Sequence, residues 1–367
     1  MSRITRTRAL AALAAAGAGL ALAGTAAAHP GEADVFSQTN SPAGNRVQTF
    51  DDRGGDLVPG PSFPTGGAGT GAGLGSQGSL ALEGRWLLAV NAGSDELSLF
   101  RVRHRSLVLT DVVPSGGDGP VSVTTDGRRA YVVNGGGPGN VAGFTISDDG
   151  RLDPIPGSVQ PLSQAGAMPA QVQLTPDGGT LVVTEKATNR IDTFPVAADG
   201  SVGPAAVSPA AGQTPFGFAV DRRGRLFVSE AFGGAPGAST VSSYAVLAGG
   251  GVSAISAAVA TTQTAACWVV LSGDQRFAYA TNTGSGTITG FRIARDGSIT
   301  RLDPDGVTAV TGGAPSDAAV DGDGRTLYAL TSPQGAISSF RVRFDGRLTP
   351  SGGVQGLPAG LNGLVAR

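Results

Sequence analysis

The stretch "LVVTEKATNRIDTF" (residues 181–194) is an apolar, β-branched run, a short polar loop, and a second run ending on an aromatic. Three other stretches share that plan: "LLAVNAGSDELSLF" (87–100), "YVVNGGGPGNVAGF" (131–144) and "YATNTGSGTITGF" (279–291). Short apolar runs separated by Gly, Asn and Asp read as strands joined by tight turns. The stretch is therefore one copy of a recurring β-hairpin. It differs from its relatives in carrying Glu185, Lys186 and Arg190 where they carry bland turn residues.

Working outward, strand-like runs end in an aromatic at Phe50, Phe100, Phe144, Phe194, Tyr244, Phe291 and Phe340, about 48 residues apart on average. Recurrence at that period marks a repeat architecture, and four strands per repeat implies a propeller blade. One copy shows the plan: strand A "SLAL" (79–82), B "WLLAVN" (86–91), C "LSLFRV" (97–102) and D "LVLTDVV" (107–113). The A–B turns, among them "TDGR", "TPDGG" and "DGDGR", carry hairpin chemistry. The D–A connections repeat a Gly-to-Pro theme in "GGDGP", "AGAMP" and "AGQTP".

The ends complement each other. "RVQTF" (46–50) is preceded only by "DVFSQTN" (34–40), with no strand A, while "GLNGLVAR" (360–367) reads as a strand A with nothing after it. The fold class expected is all-β: a seven-bladed β-propeller with four-stranded antiparallel blades, its ring closed by pairing of the N- and C-terminal strands. Residues 29–367 form one domain.

Ahead of it, Arg3, Arg6 and Arg8 precede an apolar stretch (9–23) and a small-residue site, "AAA" (26–28). Residues 1–28 read as a secretory signal peptide, so the mature chain is expected outside the cytoplasm. That stretch is too short to span a bilayer. The only cysteine, Cys267, cannot form an internal disulfide and reads as a buried apolar residue. Net charge is −2 and no basic stripe appears, so nothing points to nucleic acid or an anionic membrane; a monomer is expected.

"GLGSQG" (73–78) matches the G-x-G-x-x-G spacing of dinucleotide sites, but a hairpin follows it where the motif needs a helix N-terminus. It reads as a flexible D–A loop. "DGDGR" (321–325) opens like a calcium loop, yet Ser332 stands where the bidentate Glu is required. No metal-ligand cluster and no cofactor motif is present.

Alternating strands bring the D–A and B–C loops to one face, around one mouth of the central channel. The residues at the ends of strand B are Asn40, Asn91, Asn134, Glu185, Glu230, Asn282 and Thr331. Glu185 and Glu230, in neighbouring blades, have two readings: each caps loop N–H groups as Asn does, or the two face the channel as catalytic carboxylates. Lys186 is the sole lysine among 26 basic residues, and Arg190 follows four positions on. An ammonium and a guanidinium on one loop suit an anionic small molecule; a solvated ion pair with Glu185 is the plain alternative. Starts of strand A add Gln77, Gln171, Phe216, Phe218 and Trp268 to the mouth, with inter-blade packing as the competing role for the aromatics. Asn282 joins them as a candidate contact. His104, in a C–D loop on the opposite face, and His29, at the cleavage site, serve neither.

These features resemble the seven-bladed propeller lactonase family, which includes 6-phosphogluconolactonase-type hydrolases and fungal carboxymuconate cyclases. The carriers are the period, "TDGRRAYVVN" (125–134), "GFTISDDGRLDPIPG" (143–157) and "VVTEKATNRIDTF" (182–194). The resemblance implies an acidic residue at the end of strand B, which Glu185 matches, and activity on a lactone. The family's lactonases bring His and Arg in from strand A starts, where this chain has "GDGPVSV", "GAMPAQV" and "GQTPFGF". Two functions follow as expectations. One is a lactone-acting enzyme in which Glu185 or Glu230 activates water while Lys186 and Arg190 hold an anionic substrate; the other is a non-catalytic extracellular propeller that binds a ligand or protein at the same mouth.

Overall fold

A computed structural model describes residues 34–104 and 106–367. The signal-peptide reading of 1–28 lies outside the described residues. Seven sheets appear in the order expected, each a meander whose strands pair antiparallel from an inner strand A to an outer strand D. In the second blade the strands are Leu80–Glu83, Trp86–Asn91, Glu96–Arg103 and Ser106–Pro114. The first blade is built from both ends of the chain. Its inner strand is Asn362–Ala366, which pairs antiparallel with Val35–Gln38 in the register Val35 to Ala366 and Phe36 to Val365. Closure by hydrogen bonding leaves the ring no unpaired seam.

Strand B is buried along its length in most blades, as in Trp86–Asn91, Phe277–Asn282 and Thr326–Thr331, because neighbouring blades cover both its faces. The periodic aromatics form the cement between blades. Phe50, Phe100, Phe144, Phe194, Tyr244, Phe291 and Phe340 are all buried, and each joins an apolar cluster, such as Phe194 with Tyr131, Val133 and Leu181. Three strand-B tyrosines tie blade to blade on the turn face. Tyr131 donates to Gly200 O (3.0 Å), Tyr279 to Gly346 O (2.9 Å), and Tyr328 to Asp52 Oδ2 (2.9 Å), the last across the closing seam. A buried phenol needs such a partner, so the ties set the rotation of one blade on the next.

Departures from the expected plan are local. The outer strands of the third and sixth blades are each split into two short pieces. Asn40 lies beyond its strand at φ +47, so it is a turn residue and not a strand end. Among the described residues no helix is long and apolar enough to cross a membrane.

Candidate functional site

At the ends of strand B, Asn134, Glu185 and Glu230 clasp the loop that enters their own blade, while Asn282 holds its own strand C. Asn134 donates through Nδ2 to Asn140 Oδ1 (2.7 Å) and Ser115 O (3.3 Å), and accepts from Ser115 Oγ (2.7 Å). Asn282 donates to Thr287 and Thr289 hydroxyls at 3.0 and 2.9 Å and is fully buried, away from the channel.

Glu185 occupies the same station as an acceptor. It accepts from Ser163 N (2.9 Å), Ser163 Oγ (2.5 Å) and Thr188 Oγ1 (2.6 Å), with no solvent exposure. Glu230 likewise accepts from Gly212 N (2.9 Å), Ser242 Oγ (2.7 Å), Tyr244 OH (3.0 Å) and Thr240 Oγ1. A carboxylate is acceptor-only, so the hydroxyls around Glu185 and Glu230 turn to donate, whereas those around Asn282 accept. The two carboxylates sit in separate networks and do not form a pair facing the channel.

Asp192 lies behind Glu185 and is also fully buried, with Oδ2 accepting from Ser163 N (3.1 Å) and Oδ1 without a partner. Burial, and then the neighbouring Glu185, push its carboxyl up to about 8. Arg190 turns the same way, donating Nη1 to Ser163 Oγ (3.3 Å) and lining an outer groove with Thr188, Pro209, Ala211 and Phe232. Glu185 and Arg190 are register partners on adjacent strands, and both belong to the blade interior and its outer edge.

Lys186 goes to the mouth. Its ammonium lies 4.9 Å from the Phe216 ring centroid and donates to Gly75 O. Phe216 packs edge-on against Trp268, with centroids 5.2 Å apart at 62°, and Ala170 and Cys267 complete the apolar wall. Among the described residues no carboxylate forms an ion pair with Lys186; burial pulls its pKa down to about 8. Burial pushes the Cys267 thiol the other way, to about 11.

The connection from the first blade to the second is the part that sequence reading missed. Residues 65–79 make this link, about three times the length of the links 115–119, 210–214 and 261–265. The surplus crosses the mouth. Gln77 N donates to Ala170 O (2.9 Å), and its side-chain amide docks on the sixth blade, donating to Val269 O (2.8 Å) and accepting from Val269 N (3.0 Å). Ser76 Oγ donates to Val121 O (2.8 Å), and Trp268 Nε1 donates to Ser76 O (2.9 Å). The G-x-G-x-x-G stretch is thus an anchored strap, not a flexible loop. The signal was in the link length, but its landing points lie up to 192 residues away.

Beneath the strap a cavity of about 480 Å³ runs down the channel to the A–B turns, lined by Gln77, Gln171, Gln173, Asp317 and, at its far end, Arg222 and Asp321. Gln171 spans two blades through Phe218 N (2.7 Å) and Phe218 O (2.9 Å). Burial raises the Asp317 carboxyl well above the usual range. The structure therefore gathers Gln77, Lys186, Phe216 and Trp268 at the mouth, with Gln171 below. Glu185, Arg190, Glu230 and Asn282 lie elsewhere. His104 sits in the turn between Glu96–Arg103 and Ser106–Pro114 on the opposite face.

The sequence model of the family described as "Lactonase, 7-bladed beta-propeller" matches residues 77–246 and 237–361. Among solved structures, the periplasmic gluconolactonase of Pseudomonas aeruginosa is 18% identical, with 90% of this chain and 98% of that chain covered and a TM-score of 0.71. A Lactobacillus plantarum protein is also 18% identical, covering 91% and 98%, at 0.71. A Bacteroides uniformis protein classed provisionally as a 6-phosphogluconolactonase covers 91% and 99% at 18% identity and 0.70. No curated protein matches the chain. With the family match running through most of the ring, this chain is a member of the seven-bladed β-propeller lactonase family.

Proposed function

We propose that the chain recognises an anionic, sugar-derived lactone or its ring-opened acid at the Lys186 end of the channel. One observation carries this reading: a half-buried ammonium, stacked on Phe216, for which the described residues supply one hydrogen-bond partner, a neutral carbonyl. Taking an ammonium out of water is costly unless a charge answers it. A carboxylate or phosphate would supply that charge, while the Phe216–Trp268 wall takes the face of the sugar ring. The gluconolactonase of similar fold supports a sugar lactone as the ligand class, and its periplasmic setting agrees with export of this chain by a signal peptide at 1–28. We propose that it works there as a monomer.

Hydrolysis requires a base beside the ring as well as recognition. Family likeness puts forward Glu185 for that role and strand position adds Glu230; both are buried in their blades, so either would act only if its strand end opened toward the mouth. Titrating the mature protein with 6-phosphogluconate by calorimetry, with a pH-stat assay on sugar, phosphosugar and muconic lactones, separates the two parts. Lys186→Met should weaken binding about 100-fold. Turnover lost in Glu185→Gln but retained in Glu230→Gln would assign the base. Equal affinity in wild type and Lys186→Met would sink the anionic-ligand reading.

A further inference from the structure

Two hydrogen-bond donors at the mouth are occupied by the strap. Lys186 Nζ donates to Gly75 O, and Trp268 Nε1 donates to Ser76 O. These are consecutive backbone carbonyls, so the strap presents two neighbouring oxygens to two donors. A carboxylate or a phosphate presents the same pair, with a charge added. We propose that residues 73–76 act as a built-in pseudo-ligand, an autoinhibitory gate that an anionic ligand displaces by taking over the donors of Lys186 and Trp268. This inference rests on the anionic-ligand reading above.

The strap is built for such a movement. Its upstream end is tied at Thr70 N to Asn40 Oδ1 (3.1 Å) and at Gly71 N to Asn40 O (2.8 Å). Ala72 O accepts from Asn40 Nδ2 (2.6 Å) and Leu74 N donates to Asn362 Oδ1 (3.0 Å), so opening also releases the Leu74 contact; residues 71–73 are exposed, and a Cβ at Gly73 would meet no atom within 4 Å. Gly71, Gly75 and Gly78 hold φ values of +76, +60 and +78, a region that glycine enters and leaves at little cost. Downstream, the Gln77 amide on Val269 forms the latch, because it supplies a donor and an acceptor to the open inner edge of the sixth blade. Opening would leave Lys186 and Trp268 Nε1 without partners, so the closed state dominates until an anion arrives. That bias lowers apparent affinity by the fraction of molecules that are open.

Two loosened variants test it: Gln77→Ala, which removes the latch, and Ser76→Ala, which removes only the contact with Val121 O. Each is titrated with 6-phosphogluconate. In parallel, Cys267, buried in the wall beside Phe216 and Trp268, is alkylated without ligand, and its rate is compared with global unfolding measured in urea. The gate predicts about three- to tenfold tighter binding in the loosened variants. It also predicts Cys267 alkylation that accelerates more than the change in unfolding equilibrium. Unchanged or weaker affinity, with alkylation that merely follows unfolding, overturns it. If no form binds 6-phosphogluconate the anionic-ligand reading fails, and the gate then stands or falls on the alkylation rates alone.

Discussion

Glu185 and Lys186 are adjacent in the chain and sit in opposite circumstances. Inside the fourth blade, Glu185 is saturated by a backbone N–H and two hydroxyls, and nothing at that station lacks a partner except Asp192 Oδ1. At the channel mouth, Lys186 lies against an aromatic ring, and among the described residues it donates to one neutral oxygen. The comparison teaches that a buried charge whose surroundings are complete is part of the scaffold, whereas one left with a deficit is poised for something that is not yet there.

The largest expected effect breaks the saturated side. Glu230→Ala strips the acceptor from Thr240, Ser242, Tyr244 and the Gly212 N–H at once, and should cost about 3–5 kcal/mol in urea unfolding. A loss below about 1 kcal/mol would mean that the network reorganises freely and is not a scaffold.

A smaller effect comes from Asp192. Its carboxyl titrates higher in the folded chain than in the unfolded one, so it stabilises most at low pH, and that contribution is lost as pH rises through about 8. Asp192→Asn should therefore remove part of the fall in stability between about pH 4 and 8, on the order of 1–3 kcal/mol. Parallel stability–pH curves for the two proteins would show that Asp192 does not titrate in this way.

Lys186 sharpens the other side of the comparison with the smallest stability change. Its folded pKa is depressed, so keeping it charged destabilises the fold below about pH 8, and the penalty is relieved as pH approaches the ordinary lysine value near 10.5. Lys186→Met should be more stable than wild type at pH 7 by on the order of 1 kcal/mol, with the gap closing by pH 10.5. A wild type that is the more stable form at pH 7 would count Lys186 as scaffold after all.

Much of the architecture could be read in the residues. A buried aromatic every 48 residues or so reports blades because each blade must cement itself to the next at the same height, and Phe50 through Phe340 do so. The orphan strands at the two ends announced their own pairing, which Val35 and Ala366 make. The site was only partly legible. Three charged residues on one short loop looked like one cluster, but Glu185 and Arg190 pair across two strands and turn into the blade, while Lys186, one step into the loop, turns to the channel. Sequence adjacency does not specify direction where a strand gives way to a turn.

What the residues by themselves determined is therefore whatever repeats: the period, the turn chemistry, the four-strand blade and the closure of the ring, all short-range patterns with one low-energy solution. What only the tertiary structure decided is whatever depends on distance across the ring. The landing of Gln77 on Val269, of Lys186 on Gly75 and of Trp268 on Ser76 joins blades far apart in the chain, and such contacts leave no periodic trace. They arise because the inner edges of the blades offer unpaired backbone groups to the channel, and the one link long enough to reach them does so.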